Sequence, residues 1–321
     1  MTNLLSEIKD SAQLKNLFFR LLVVFIICFT LSFLTEAFFT VNNLLNVLRQ
    51  ASLLFLMASG VTLVILTAGI DLSIGANVGM SACLAAVVMT NTGSTLLGFL
   101  TGIGSGMLIG VGNGLLVTTL RLPSFIATYG MLWILHGVTY YFMGGATING
   151  FDKSFRFIGS GYLYGVPVPI YIMLIFLVVG TLFTKDTVYG QQVYAVGANP
   201  VAARLSGVPV NRRLMLVYIL SGMTAGLASL VYLARLNSAE GDIGEALTLP
   251  AIAAVLIGGT SLFGGIGTIF GTLIGALILT LVLNGMNILS IDGNWQALVT
   301  GVIIILSVLL DLVFRRKSST G

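Results

Sequence analysis

Read along its length, the chain is a succession of long apolar runs separated by short polar intervals. A bilayer core of about 30 Å calls for roughly 20 apolar residues in helical form. On that basis ten runs stand out: 18–39, 51–69, 74–90, 95–119, 123–143, 167–184, 214–234, 249–258, 268–288 and 296–314. The eighth is short and reads as a half-helix or re-entrant segment, a form tolerated at membrane depth only where protein or a water-filled cavity surrounds it. The expected fold class is an all-α membrane protein, one domain over 1–321, with about ten transmembrane helices and a half-helix near 249–258.

Charge favours ten crossings over nine. With ten, both termini share a face, and placing them in the cytoplasm puts Lys9, Lys15, Arg20, Arg121, Lys185, Arg204, Arg212, Arg213, Arg315, Arg316 and Lys317 inside. Only Arg49, Lys153, Arg156 and Arg235 then fall outside, as the positive-inside rule requires. Nine crossings would carry the Arg315–Arg316–Lys317 cluster to the opposite face. The longest cytoplasmic loop is expected over 185–213 and the longest external one over 144–166, with no attached soluble domain expected. Phe18–Phe39 is too long for a signal-peptide core and no small-x-small cleavage site follows it, so it is expected to stay as the first span.

Composition agrees. The 321 residues are 57% hydrophobic and 8% charged, against about 25% charged in soluble domains. The net charge of +4 is spread between apolar runs rather than gathered in a patch, so the basic excess points to anionic cytoplasmic lipid and not to nucleic acid. Cys28 and Cys83 lie within apolar runs and read as small buried hydrophobes. The single His136 has no histidine or carboxylate at ligand spacing, so neither a metal nor another cofactor is expected. Tyr140, Tyr141, Tyr162, Tyr164 and Trp295 fall where an interfacial aromatic belt would lie.

Within the spans, Gly102, Gly106, Gly110 and Gly114 share one helix face and let another backbone approach closely. Packing within the chain is the plainer reading, a dimer seam or moving gate the alternative; Gly267, Gly271 and Gly275 repeat the pattern. The glycine-dense stretch 258–267 lacks the lysine of a phosphate-binding loop, so any ATP is expected to be hydrolysed by another chain. Asp71, in Gly69-Ile-Asp-Leu-Ser-Ile-Gly75, is the most informative ionisable residue: it either caps the third span or works on a solute or gate, and both can hold together. Asn77, Asn113, Asn284 and Asn287 either hydrogen-bond a polyhydroxylated solute or join helices. Asp311 and Arg315 are spaced for a local ion pair. No nucleophile–base pairing is present, so catalysis is not expected.

The loop 189–213 contains Asn199 followed by Pro200, a good helix start, and Gly207, a good stop. A short capped helix there suits docking of a soluble partner, with an ordinary connector as the alternative. The stretch resembles the cytoplasmic loop of ribose-type permeases of ABC (ATP-binding cassette) importers. The matching residues are Tyr194, Ala195, Gly197, Asn199, Ala202, Ala203, Ser206 and Gly207, with Ala198 and Val208 departing mildly. Phe39–Asn46, Thr62–Gly75 and Ala251–Gly267 are similar to the same family, in the same order, so the likeness runs from about Phe38 to Asp311.

The resemblance implies a cobalamin-importer-like (type II) bundle in the bacterial inner membrane that carries a small monosaccharide, ribose or a similar pentose or hexose. It implies pairing with a second permease copy, two ATPase subunits on the cytoplasmic loops, and a periplasmic or lipid-anchored sugar-binding protein. Residues 199–207 would then couple to the ATPase, through Tyr194, Gly197, Asn199, Ala202, Ala203, Arg204, Ser206 and Gly207. Asp71, Asn77, Asn113 and Asn284 would line the pathway or gate. A permease for an autoinducer-type sugar derivative, an ion-coupled secondary transporter and a membrane scaffold are the competing readings.

Overall fold

The computed structural model describes the backbone of residues 2–319 and the side chains of residues 18–309 and Leu312. Its helices are α1 (Thr2–Leu34), α2 (Val41–Leu66), α3 (Ile74–Thr92), α4 (Thr95–Thr118), α5 (Ser124–Met143), α6 (Lys153–Ser160), α7 (Val168–Asp186), α8 (Val188–Ala198), α9 (Pro200–Leu205), α10 (Val210–Leu236), α11 (Thr248–Ile257), α12 (Ile269–Ile288) and α13 (Gly293–Ser319). Two short antiparallel ribbons decorate one end. In one, β1 (Ile148–Asn149) pairs with β4 (Ser238–Ala239), with Ile148 opposite Ala239; in the other, β2 (Tyr162–Leu163) pairs with β3 (Val166–Pro167).

Hydroxyls mark several helix starts. The Asn43 N–H donates to Thr40 Oγ1, Leu97 N–H to Ser94 Oγ, Gly190 N–H to Thr187 Oγ1 and Gly271 N–H to Thr268 Oγ1, each satisfying an amide that has no partner within its own helix. Each of the ten expected runs falls on a helix. Several boundaries differ: α1 runs from Thr2 to Leu34 rather than over 18–39, α10 and α13 extend a few residues beyond their runs at both ends, and α2 begins at Val41 rather than 51, taking in the polar Asn42, Asn43, Asn46 and Arg49. The Thr40 cap starts the helix before the apolar run begins.

Among the described residues, six helices are long and apolar enough to cross a membrane: α2, α3, α4, α7, α10 and α12. Phe18–Leu34, Glu245–Ile257 and Gly293–Leu309 are shorter apolar stretches. The 20-residue α5 is long enough, but its tyrosines, threonines and His136 leave it outside that set. The chain is thus a multi-spanning helical membrane protein.

The core gathers around α2, buried continuously from Ala51 to Leu66, and draws in residues of α7, α10, α11 and α12. The glycine stripe of α4 faces α10: a β-carbon on Gly106 or Gly110 would collide with the carbonyls of Gly222 and Tyr218. Gly271 and Gly275 meet Gly258 and Ala254 in the same way, seating α12 on α11. Both stripes therefore pack within the chain. The proposed Asp311–Arg315 pair lies outside the residues whose side chains are described.

Candidate functional site

The turn between α2 and α3, residues 67–73, is the polar centre of the bundle. α2 ends at Leu66, and Ala68 takes a left-handed φ of 60° that redirects the chain. Asp71 is buried to 3% exposure. Its Oδ1 accepts from the Ser73 N–H at 3.0 Å and the Ser73 hydroxyl at 2.7 Å, and its Oδ2 accepts from the Ser221 hydroxyl of α10 at 2.9 Å. Asn113 of α4 donates from Nδ2 to Ser73 Oγ at 2.7 Å. The Asp71 carboxyl and the Ser73 hydroxyl together thereby join α3, α4 and α10.

Asp71 does not cap α3. The N-cap is Ser73, and Asp71, two residues earlier, reaches only the N-cap's own amide rather than those of the first helical turn. The same turn also grips α5. Ile70 N–H donates to Ser124 Oγ at 3.2 Å and Leu72 N–H to Thr128 Oγ1 at 3.1 Å, while the Thr128 hydroxyl donates to Ile70 O at 3.0 Å. Beside this joint, Asn113 Oδ1 is buried without a hydrogen-bond partner among the described residues. Such atoms are rare in native interiors.

The candidates of the 185–213 loop form a compact unit at one end. Asn199 is the N-cap of α9, its Oδ1 accepting from Val201 N–H and Ala202 N–H at 3.0 Å each, with Pro200 in the first turn. Gly207, at φ 82°, ends it. Ala203 is buried against Val196 and Val210, whereas Val201 and Leu205, one helical turn apart, are 68% and 85% exposed. Arg204 and Ser206 are exposed as well, the Ser206 hydroxyl donating to Ala202 O. A groove of about 590 Å³ beside α9 is lined by Arg121, Arg204 and Arg212.

This unit is bolted to the polar centre. Gly197, near the end of α8, lies against the Leu66 carbonyl at the end of α2, so closely that any β-carbon would collide with it; the same carbonyl accepts the Gly265 N–H at 2.9 Å. Tyr194 donates its hydroxyl to Gly267 O at 2.8 Å. Burial pushes the Tyr194 pKa above its ordinary value, which keeps the proton on this donor. The glycine-dense stretch is thus a socket for α8, because only residues without side chains let two backbones meet this closely.

The other intramembrane amides make no side-chain hydrogen bond to Asp71, Ser73 or Asn113. Asn77 donates to Gly106 O and accepts from Ser81, between α3 and α4. Asn284 exchanges hydrogen bonds with Asn43, joining α12 to α2. Asn287 accepts from Gln296. Of the four pathway candidates, the structure brings the side chains of Asp71 and Asn113 into one network through Ser73 and leaves those of Asn77 and Asn284 outside it; all four are at most 3% exposed.

Sequence reasoning did not find the exposed face of α5. Phe125, Tyr129, Trp133 and His136 follow one another along it, with successive ring centroids 6.1, 6.4 and 5.7 Å apart. His136 Nδ1 meets a carboxylate oxygen of Glu245, in the turn before α11, both side chains half-exposed. The spacing of these aromatics at three and four residues was the available signal. The carboxylate partner, 109 positions away, carried none. No cluster of three or more metal-ligating side chains occurs among the described residues.

Comparison with known proteins bears on this arrangement. The family model described as "Branched-chain amino acid transport system / permease component" matches residues 43–308. The chain is similar to the ribose import permease protein RbsC of Escherichia coli (strain K12), 41% identical over 295 residues, covering 91% of this chain and 92% of that one. It is similar to RbsC of Bacillus subtilis (strain 168), 39% identical with 92% of each covered. The D-allose transport system permease protein AlsC of E. coli (strain K12) is 37% identical, with 93% of this chain and 91% of that one covered. No solved structure matches the chain.

Proposed function

Since the chain belongs to the branched-chain amino acid transport system permease-component family, we propose that it is the membrane-spanning subunit of an ATP-binding cassette importer for a small monosaccharide, ribose or a similar pentose or hexose. The near full-length relatives named for ribose and allose support the sugar. The bundle crosses the inner membrane ten times with both termini in the cytoplasm, supported by the distribution of basic residues. Two permease copies, two ATPase subunits and an extracytoplasmic sugar-binding protein complete the transporter.

The observation that carries the mechanism is α9, a capped helix offering Val201 and Leu205 outward while its base is fastened to the end of α2. An ATPase surface covers those two side chains, and its acidic groups meet Arg204 in the basic groove. When the ATPases close, α8 and α9 move together, because Gly197 and Tyr194 tie them to Leu66 and the glycine socket. The displacement reaches the 67–73 turn, where Asp71 with Ser73, Ser221 and Asn113 acts as the gate joint. Ser124 and Thr128 pass it to α5.

The exposed α5 face lines the sugar path. Aromatic rings offer an apolar face with a polar tip, suited to the C–H face and hydroxyls of a sugar. A polar pair within the membrane is better placed facing water or protein than lipid, and the contact of His136 with Glu245 supports this placement of the α5 face. Asn77 and Asn284 hold the surrounding helices in register. The sugar passes chemically unchanged.

Uptake of labelled sugar into vesicles carrying the whole transporter tests the reading. Asn199→Arg, or removal of 199–207, abolishes ATP-driven uptake while the permease still inserts; uptake left intact contradicts the coupling role. Uptake that survives ATP depletion but not an uncoupler favours an ion-driven carrier instead. Competition by unlabelled ribose, allose and autoinducer-type derivatives ranks the substrates.

A further inference from the structure

A second cavity, unrelated to the sugar path, opens at the end of the bundle that carries the coupling loop. It measures about 560 Å³ and lies between the start of the apolar part of α1, the end of α7, α8 and the start of α12. Its walls are largely apolar, and Val178, Leu182, Ile266 and Phe270 remain about half exposed. Two cations stand in it, Arg20 and Lys185. The Arg20 guanidinium lies over the backbone of Gly259 and Gly271, where any β-carbon would displace it. No described carboxylate pairs with either cation.

A half-buried, unpaired guanidinium at a membrane edge is costly unless an anion reaches it. A soluble anion would satisfy the charges but leave the apolar walls uncovered. A chain of methylenes would cover the walls but leave the charges. An amphiphile with a phosphate head answers both, since arginine takes phosphate oxygens in a fork and lysine serves as a point charge.

We propose that this cleft holds an anionic phospholipid of the cytoplasmic leaflet, its phosphate between Arg20 and Lys185 and an acyl chain along Val178, Leu182 and Phe270. Tyr194 and Gly267 line the same cavity, so the bound lipid braces the glycine socket against α8. The inference rests on the orientation proposed above, which puts this end in the cytoplasm, where anionic lipids are plentiful.

The test uses the full permease chain in detergent micelles, without sugar, ATP or partners, so that it fails or succeeds independently of transport. Phosphatidylglycerol and phosphatidylcholine are titrated in turn and bound lipid is read by native mass spectrometry. Phosphatidylglycerol is expected to be retained on the order of tenfold more tightly. Arg20→Gln with Lys185→Gln removes most of that preference, while Arg20→Lys with Lys185→Arg keeps most of it. Equal retention of the two lipids, or an unchanged double variant, overturns the proposal. Displacement of phosphatidylglycerol by millimolar inorganic phosphate overturns the lipid assignment in favour of a soluble anion. If the double variant does not fold, Lys185→Gln alone decides: Lys185 is exposed at the end of α7, and an undiminished preference counts against the site.

Discussion

Asn199 and Asp71 each stand at the approach to a helix, one on the surface and one in the interior. Asn199 uses its side chain locally, closing the first turn of α9 and nothing else. Asp71 divides its carboxyl, one oxygen on Ser73 beside it and the other on Ser221 of α10. A helix meant to be pushed must hold its own shape. A joint meant to change must be shared between the elements that separate. On the proposed mechanism, the surface site receives the motion and the interior site yields to it.

The largest effect is expected where the two regions are fastened together. Gly197→Val places side-chain atoms against the Leu66 carbonyl and Gly265, an overpacking that costs on the order of 3 kcal/mol. The purified permease should melt at a markedly lower temperature and lose uptake altogether. A normal melting curve with full uptake would separate α8 from the turn and break the comparison. Asp71→Leu comes next. It leaves the Ser73 and Ser221 hydroxyls and the Ser73 amide without their acceptor, at a cost of about 2–3 kcal/mol. Thermal unfolding should register it, with Asp71→Asn less severe because one acceptor oxygen remains.

Asn199→Ala should lower stability by about 1 kcal/mol at most, since only one exposed turn loses its cap. Uptake should fall far more than that figure implies, because the frayed α9 no longer transmits force; co-purification with the ATPase alongside an uptake assay separates the two. The smallest effect on stability is expected for His136→Gln, as a half-exposed polar contact contributes no more than about 1 kcal/mol. Trp133→Ala, on the same α5 face, should spare folding and raise the sugar concentration needed for half-maximal uptake. Unaltered transport in both variants would remove α5 from the sugar path.

Much of this architecture is legible in the chain alone, and for physical reasons. Apolar runs of membrane length mark helices because lipid admits little else, and every run found that way coincides with one. α9 is legible because Asn199, Pro200 and Gly207 act within nine consecutive residues. The contacts that give the unit its mechanics are not local: Ser221 lies 150 positions from Asp71, and Ser124 and Thr128 lie more than fifty from the turn they hold. Serine and threonine are common in membrane helices, and nothing in their spacing singles these out. Gly197 showed the same limit, since a glycine in a helix does not announce which backbone it admits.

The claim that motion passes from α9 to α5 through the 67–73 turn is tested most directly by the double substitution Ser124→Ala with Thr128→Val, which removes two hydroxyl clamps and little volume. The quantity to measure is sugar imported per ATP hydrolysed by the reconstituted transporter. We expect ATP hydrolysis to continue while that ratio collapses, the turn now moving without α5. A ratio equal to that of the unaltered protein would show that the path to α5 lies elsewhere.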